Sequence, residues 1–280
     1  LTLHCVLEDL QPTEAFPVPF RMLSFDLETS IADNRILCAA AVVEDLATGD
    51  RSVHTWRDDE SELLEGMTRL VLEQDPDIIT GYNIDNFDFP RLVERMDHHT
   101  SRKQWQARSN LLGWGRTPHL ETECKRTRTG VLPRRQSNRA WNLAGRAIVD
   151  AWWQARQALR PQRETLSFIA RLLFPEEEDK QKIDIDASNM DEEWANRPDE
   201  VMEYCVRDAA LPLDILHAIQ AIRRKEAVAS VAKVPFETAA NGSTSQLLDS
   251  LVTVSYTHLR AHEPREERGW RGGGEKKKGG

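Results

Sequence analysis

The stretch FDLET, Phe25 to Thr29, reads as a β-strand whose alternation carries two carboxylates. Successive side chains of a strand point to opposite faces, so Phe25 and Leu27 turn toward a core while Asp26 and Glu28 share the other face. One strand thus delivers two acidic groups to one spot. Two further acidic stretches follow: GYNIDNFDFP from Gly81 to Pro90 and YCVRD from Tyr204 to Asp208. In the first of these, a short apolar strand (Asp77 to Thr80) runs into Gly81, and the turn beyond presents Asn83 and Asp88 at the start of a helix. In the second, helical i,i+4 spacing stacks Tyr204 and Asp208 on one side.

An isolated Asp-x-Glu carries little information, since Asp58/Glu60 and Asp191/Glu193 have the same spacing with no strand around them. The order of the three stretches, each in suitable local structure, gives them weight. Asp26, Glu28, Asp88 and Asp208 brought into one small volume raise one another's pKa, and they cannot all ionise unless cations neutralise them. All-carboxylate ligation selects hard ions, Mg²⁺ or Mn²⁺, over zinc or copper.

Around these stretches the pattern predicts an α/β fold with a mixed sheet of about five strands flanked by helices. Strands are expected from Arg21 or Met22, over Ile36 to Glu44 and over Arg51 to Trp56, with Thr48-Gly49-Asp50 as a hairpin turn. Leu63, Leu64, Met67, Leu70 and Val71 stand at helical spacing over Ser61 to Glu73, with Ser61 as the cap. That helix crosses over to a parallel strand at Asp77 to Thr80. Further helices are predicted over Asn86 to Met96, Thr165 to Phe174 and Pro198 to Arg224. In the last, Pro198 suits the first turn, and Pro212 removes the donor for the Asp208 carbonyl and bends the helix just past an acidic group.

The chain has 280 residues, 40% of them apolar, enough for one good-sized core. No apolar run approaches the ~20 residues of a membrane span and nothing resembles a signal peptide, so a cytoplasmic address and no membrane partner are expected. Cys5, Cys38, Cys124 and Cys205 are scattered without zinc-type spacing and read as small core hydrophobes.

The net charge of −9 is unevenly spread. Between Ser101 and Arg146, eleven Lys and Arg stand against two Glu. This run carries two readings, a surface that follows a phosphate backbone and a solvated loop. Trp105, Trp114 and Trp141, interleaved with the cations, fit either stacking on unpaired bases or a core. The acidic run from Pro175 to Glu203 reads as a solvated face. Ser255 to Gly280 is rich in glycine and charge, lacks apolar periodicity, and reads as a non-native or disordered tail.

On its three acidic motifs the chain resembles the 3′→5′ proofreading exonuclease domain of a family B DNA polymerase of archaeal-like type, truncated before the polymerase palm. The likeness extends to GRAIVDAWW (Gly145 to Trp153) and to Gly242 to Ser250. It covers about Phe16 to Val252 and is weakest from Thr100 to Asn142. Neither palm motif of such polymerases, D-x-x-S-L-Y-P-S or Y-G-D-T-D-S, occurs, so the resemblance implies a piece that retains the nuclease and lacks the polymerase. It implies a ribonuclease H-like domain over 21–225, preceded by the tail of another segment (1–20). A connection toward the polymerase module follows (226–253), then the tail (254–280).

The resemblance also implies roles. Asp26, Glu28 and Asp208 share one divalent cation, Asp26 bridges to a second near Asp88, and the two ions, about 4 Å apart, hydrolyse a 3′-terminal phosphodiester to release a nucleoside monophosphate. Tyr204 holds the attacking water. Leu27, Thr29, Asn83 and Phe87 contact the terminal nucleotides, with a plain core role as the alternative for Phe87, and Lys182 and Arg146 are candidates for phosphate contacts, with a solvated surface lysine as the alternative for Lys182. Asp150 reads as a strand-end hydrogen-bond acceptor or a partner of Arg146, with a substitute ligand role as the alternative. The implied partners are a single-stranded DNA 3′ end or frayed primer terminus, the polymerase module of the same parent chain and, through the parent, a sliding clamp, at the nucleoid. Two further readings stay open: a tyrosine-type 3′→5′ exoribonuclease, and a non-catalytic nucleic-acid-binding domain of the same fold.

Overall fold

A computed structural model describes residues 18–57, 59–103, 114–116, 123–127, 138–177 and 185–261. The chain opens with strands β1 (Arg21–Thr29), β2 (Ile36–Asp45) and β3 (Arg51–Trp56), antiparallel neighbours as expected. Helix α1 (Glu60–Gln74) then crosses to β4 (Ile78–Gly81), which lies parallel to β1. Helix α2 (Asp88–Lys103) follows, then a separate hairpin, β5 (Glu123–Thr127) and β6 (Asn138–Asn142), and then β7 (Ala147–Asp150), parallel to β4. The rest is helical: α3 (Ala151–Leu159), α4 (Leu166–Leu173), α5 (Met190–Asn196), α6 (Pro198–Ala218), α7 (Ala221–Ala232), α8 (Phe236–Asn241) and α9 (Thr244–Ala261). The main sheet has the order β3-β2-β1-β4-β7, a mixed five-stranded α/β arrangement flanked by helices and of the ribonuclease H-like kind.

Both faces of the sheet are covered, which is why β2 is apolar almost throughout and buried along its length. On one face Leu23, Phe25 and Leu27 of β1 pack with Leu63, Leu64 and Met67 of α1 and Phe89 and Leu92 of α2. The opposite face holds Met22, Cys38, Ala40 and Val42 against Cys205, Ala209 and Leu213 of α6. Small side chains on both sides let α6 lie close to β1 and β2. Gly81 ends β4 where a Cβ would stand 2.6 Å from the Phe25 carbonyl oxygen and 2.3 Å from Ile84 Cγ2, so only glycine lets β4 and the following turn approach β1 so closely.

Several boundaries differ from expectation, each for a local reason. Asp59, not Ser61, caps α1: its side chain accepts the Ser61 N–H at 3.0 Å, and Ser61 itself is buried. Helix α2 starts at Asp88 because Asn83 takes a left-handed conformation (φ 63°) and the turn after it closes on the Asn83 carbonyl. The expected helix from Pro198 to Arg224 divides at Gln220, also left-handed (φ 53°), into α6 and α7. Pro212 is accommodated within α6, and Pro198 occupies its first turn as expected. Helix α9 runs through Val254 to Ala261, past the position where a tail was expected to begin. Residues 1–17 and 262–280 and Trp105 lie outside the described residues. No described helix is long and apolar enough to cross a membrane.

Candidate metal centre and nucleotide cleft

Asp26 and Glu28 leave the same face of β1, on the side packed by α6. Phe25 and Leu27, 0% and 3% exposed, fill the opposite core. A cleft of about 640 Å³ opens there, bordered by Asp26, Glu28, Asp88, Tyr204 and Asp208. Three distant parts of the chain therefore meet at one place: β1, the N-terminus of α2 and the middle of α6. The Leu27 main-chain N–H donates to the Asp88 carboxylate and ties α2 to β1.

The electrostatics of this cluster are strained. Burial, then the charges of Glu28, Asp88 and Asp208, hold the Asp26 carboxyl well above the usual carboxylate range. Burial, with Asp208 and Asp88, pushes Glu28 up to about 8, partly offset by a hydrogen bond with Asp26. Asp88 is pushed up to about 8 by burial and by Asp150, against main-chain N–H bonds from Leu27 and its own residue. Asp88 is 2% exposed, and its Oδ1 is buried with no hydrogen-bond partner among the described residues. Oxygen ligands that burial and mutual repulsion drive toward protonation, one of them unpartnered, fit hard divalent cations.

Tyr204 lies beside these acids, with Arg207 over its ring at 5.5 Å, and the Arg207 guanidinium is 3.6 Å from Asp208 Oδ1. Burial, then the charges of Asp208 and Glu28 and a hydrogen bond with Asp208, push the phenol far above its ordinary value. This favours the neutral, hydrogen-bonding form of the phenol.

The remaining predicted residues separate by environment. Asn83, Phe87 and Thr29 border the cleft, and Phe87 is 48% exposed, unusually open for an aromatic side chain. Asn83 Oδ1 accepts from Asn86 Nδ2 at 2.9 Å, which leaves its own amide N–H₂ as the donor end. Leu27 borders the cleft but keeps its side chain in the opposite core, so its main chain is what reaches Asp88.

Arg146 is in the wrong place for a phosphate. It is 4% exposed, and its guanidinium donates to the carbonyls of Trp114 (2.6 Å) and Pro76 (2.5 Å) and to Asp75 Oδ1 (2.8 Å), clamping the α1–β4 connection. Lys182 lies outside the described residues. Of the interleaved tryptophans, Trp114 and Trp141 are core residues packed around Phe89 and are not stacking platforms.

Asp150 is the strand-end acceptor. Its carboxylate accepts from the N–H groups of Asn83 (2.9 Å), Asp85 (3.2 Å) and Trp152 (2.9 Å), capping α3 while pinning the turn that carries Asn83. Burial raises its pKa to about 6 even against these bonds. Sequence reading passed over Arg91 and Arg207, whereas Cys205 is the buried core residue it was expected to be. Arg91, one helical turn after Asp88, borders the cleft, and that i,i+3 position after an acid was the available signal.

Residues 46–169 match the model of the family described as DNA polymerase family B, exonuclease domain. The DNA polymerase delta catalytic subunit of Drosophila melanogaster is 30% identical over 205 residues, 71% of this chain and 18% of that protein. That of Mesocricetus auratus is 30% identical over 180 residues, 63% of this chain and 15% of that protein. That of Arabidopsis thaliana is 26% identical over 291 aligned positions, 90% of this chain and 25% of that protein. The chain therefore spans a quarter or less of the length of these relatives.

Proposed function

Since the chain belongs to the exonuclease domain of the family B DNA polymerases, we propose that it hydrolyses the 3′-terminal phosphodiester of single-stranded or frayed DNA and releases nucleoside monophosphates. The observation that carries this reading is the meeting of Asp26, Glu28, Asp88 and Asp208 with Tyr204 around one cleft. We infer that Asp26, Glu28, Asp88 and Asp208 hold two divalent cations, Mg²⁺ or Mn²⁺. When bound, such ions supply Lewis acidity toward the phosphodiester and lower the pKa of water.

The chain's own residues supply position. Tyr204, kept neutral, orients a water by hydrogen bonding instead of removing its proton. Phe87 packs against a terminal base, and the Asn83 amide donates to the terminal nucleotide. Thr29 and the Leu27 main chain line the floor. Arg91 at the border of the cleft and Arg207 beside Asp208 offset the charge of an incoming phosphate. In the intact protein the domain would edit the primer terminus delivered by a polymerase module of the same chain, beside a sliding clamp at replicating DNA.

The test is digestion of a 5′-labelled single-stranded DNA oligonucleotide with Mg²⁺, beside Asp26→Ala/Glu28→Ala and an EDTA control. A metal-dependent ladder shortening from the 3′ end, abolished in the variant while single-strand binding persists, is expected. Unchanged cleavage by the folded variant overturns the assignment.

A further inference from the structure

Asp191, half of an Asp-x-Glu pair that carries little information as sequence, reaches the rim of the cleft from α5. It follows Met190, which is buried in the core and also borders the cleft. The Asp191 Oδ2 accepts the main-chain N–H groups of Ile31 (2.8 Å) and Ala32 (3.2 Å) in the connection from β1 to β2. A hydrogen bond with Ser30, together with these two, outweighs burial and holds the Asp191 carboxyl below its ordinary value. Every residue from Ile31 to Arg35 is exposed. Within this turn the Ser30 Oγ accepts from Ala32 (3.2 Å) and Asp33 (3.3 Å), and Asn34 takes left-handed backbone (φ 61°). Ser30, Ile31 and Asn34 all border the cleft. Ile31 is 54% exposed, and among the described residues it and Phe87 are the exposed large apolar side chains on that border.

We propose that Asp191 is a positioning residue for the nucleic-acid strand: it fixes the β1–β2 connection so that Ile31 stands as an apolar contact for a nucleotide in the cleft. An isoleucine open to water on an exposed turn gains nothing from that placement by itself. Without an outside tie, such a turn opens to other arrangements at little cost. Asp191 ties it to α5, which packs on β1 and α6 and is anchored by Met190. The turn is thus ordered on folding, before the strand arrives, and its ordering is not subtracted from binding. Charge and position predict opposite signs here. A carboxylate beside the path of a polyanion repels it, so charge alone predicts tighter binding once Asp191 is removed. A positioning role predicts weaker binding, and it belongs to the acceptor oxygen, since Oδ2 receives both N–H groups. This inference rests on the cleft receiving the strand proposed above, and it is read by binding without phosphodiester hydrolysis.

The experiment measures, by fluorescence, the affinity of the full chain for a single-stranded DNA oligonucleotide carrying 2-aminopurine at its 3′ end. The chain carries Asp26→Ala/Glu28→Ala throughout, so that no cleavage intervenes. Into it are introduced Asp191→Ala, Asp191→Asn, Ile31→Ala, and Asp191→Ala together with Ile31→Ala. Asp191→Ala should weaken binding roughly tenfold, the order of what one or two hydrogen bonds hold in place. Ile31→Ala should weaken it by a similar factor, and the combined variant by no more than either alone, because both changes remove the same contact. Asp191→Asn keeps an acceptor oxygen where Oδ2 stands and should bind at least as well as the parent. Unchanged or tighter binding in Asp191→Ala, additive losses in the combined variant, or Asp191→Asn as weak as Asp191→Ala each overturn the proposal. Should Asp191→Ala fail to fold, Asp191→Leu, similar in shape and without an acceptor, takes its place under the same outcomes. A parent that does not bind the oligonucleotide overturns this inference and the substrate assignment together. The expected pattern of affinities beside a failed nuclease assay counts against the reaction and leaves the positioning role standing.

Discussion

Tyr204 illustrates how much a single side chain's role depends on its neighbours. Burial and the charges of Asp208, Glu28 and Asp26 hold its hydroxyl in the neutral form, so the role proposed for it is hydrogen bonding. Tyr204→Phe keeps the ring under Arg207 and removes only that hydroxyl. Single-turnover digestion should then slow by about 10²-fold, the lower end of what a positioned hydrogen-bonding or proton-handling group contributes, with oligonucleotide binding little changed. An unaltered rate would remove Tyr204 from the reaction. Asp150 is the structural counterpart. Asp150→Ala leaves the N–H groups of Asn83, Asp85 and Trp152 without their acceptor and uncaps α3. It should destabilise the domain by about 2–4 kcal/mol in urea denaturation; stability equal to the parent would show that other acceptors take over.

Between elements, the packing of α1 and α2 against the sheet is guided by a buried ion pair. Glu60, 5% exposed at the start of α1, accepts from Arg95 (2.6 and 2.8 Å) and pairs with His99 (2.7 Å), both on α2, and it also receives the Ile36 N–H of β2 (2.7 Å). Burial alone would raise its pKa. Hydrogen bonds from Arg95, His99 and Ile36, with the Arg95 charge, outweigh that and hold it below its ordinary value of 4.5. Below 4.5 the unfolded chain therefore binds more protons than the folded one at this group. The stabilisation is complete above 4.5 and is lost as the pH falls through the depressed folded value. Glu60→Gln should flatten the acid limb of a plot of melting temperature against pH relative to the parent protein. Parallel acid limbs would show that the pair contributes nothing to folding.

For the molecule as a whole, three carboxylate-bearing elements far apart in sequence must be held together against their own repulsion, and folding and cation binding are consequently linked. A cation that binds only the folded state stabilises it by about 2.7 kcal/mol at a hundredfold excess over its dissociation constant. Thermal unfolding should shift upward with Mg²⁺ or Mn²⁺, return on addition of EDTA, and show no shift in Asp26→Ala/Glu28→Ala. An equal shift in that variant would place the cations elsewhere.

By itself the sequence determined the local geometry of the acids. Alternation in Phe25 to Thr29 sets Asp26 and Glu28 on one face, helical spacing aligns Tyr204 with Asp208, and the strand into Gly81 sets Asp88 at a helix start. These are short-range consequences of backbone period and need no knowledge of the partners. The chain reversals around Asn83 and Gln220 were harder to see, because non-glycine residues adopt left-handed backbone only where surrounding contacts impose it. The ends of hydrogen bonds that run between elements were not legible at all. Arg146 has the composition of a phosphate ligand and the environment of a buried clamp, and Trp114 and Trp141 have the spacing of a stacking surface and the packing of a core. Cys38 and Cys205 are scattered in sequence and joined only because β2 and α6 pack face to face. Which polar group serves the cleft and which serves the scaffold is decided by who stands opposite, and only the tertiary structure puts the opposing residues in place.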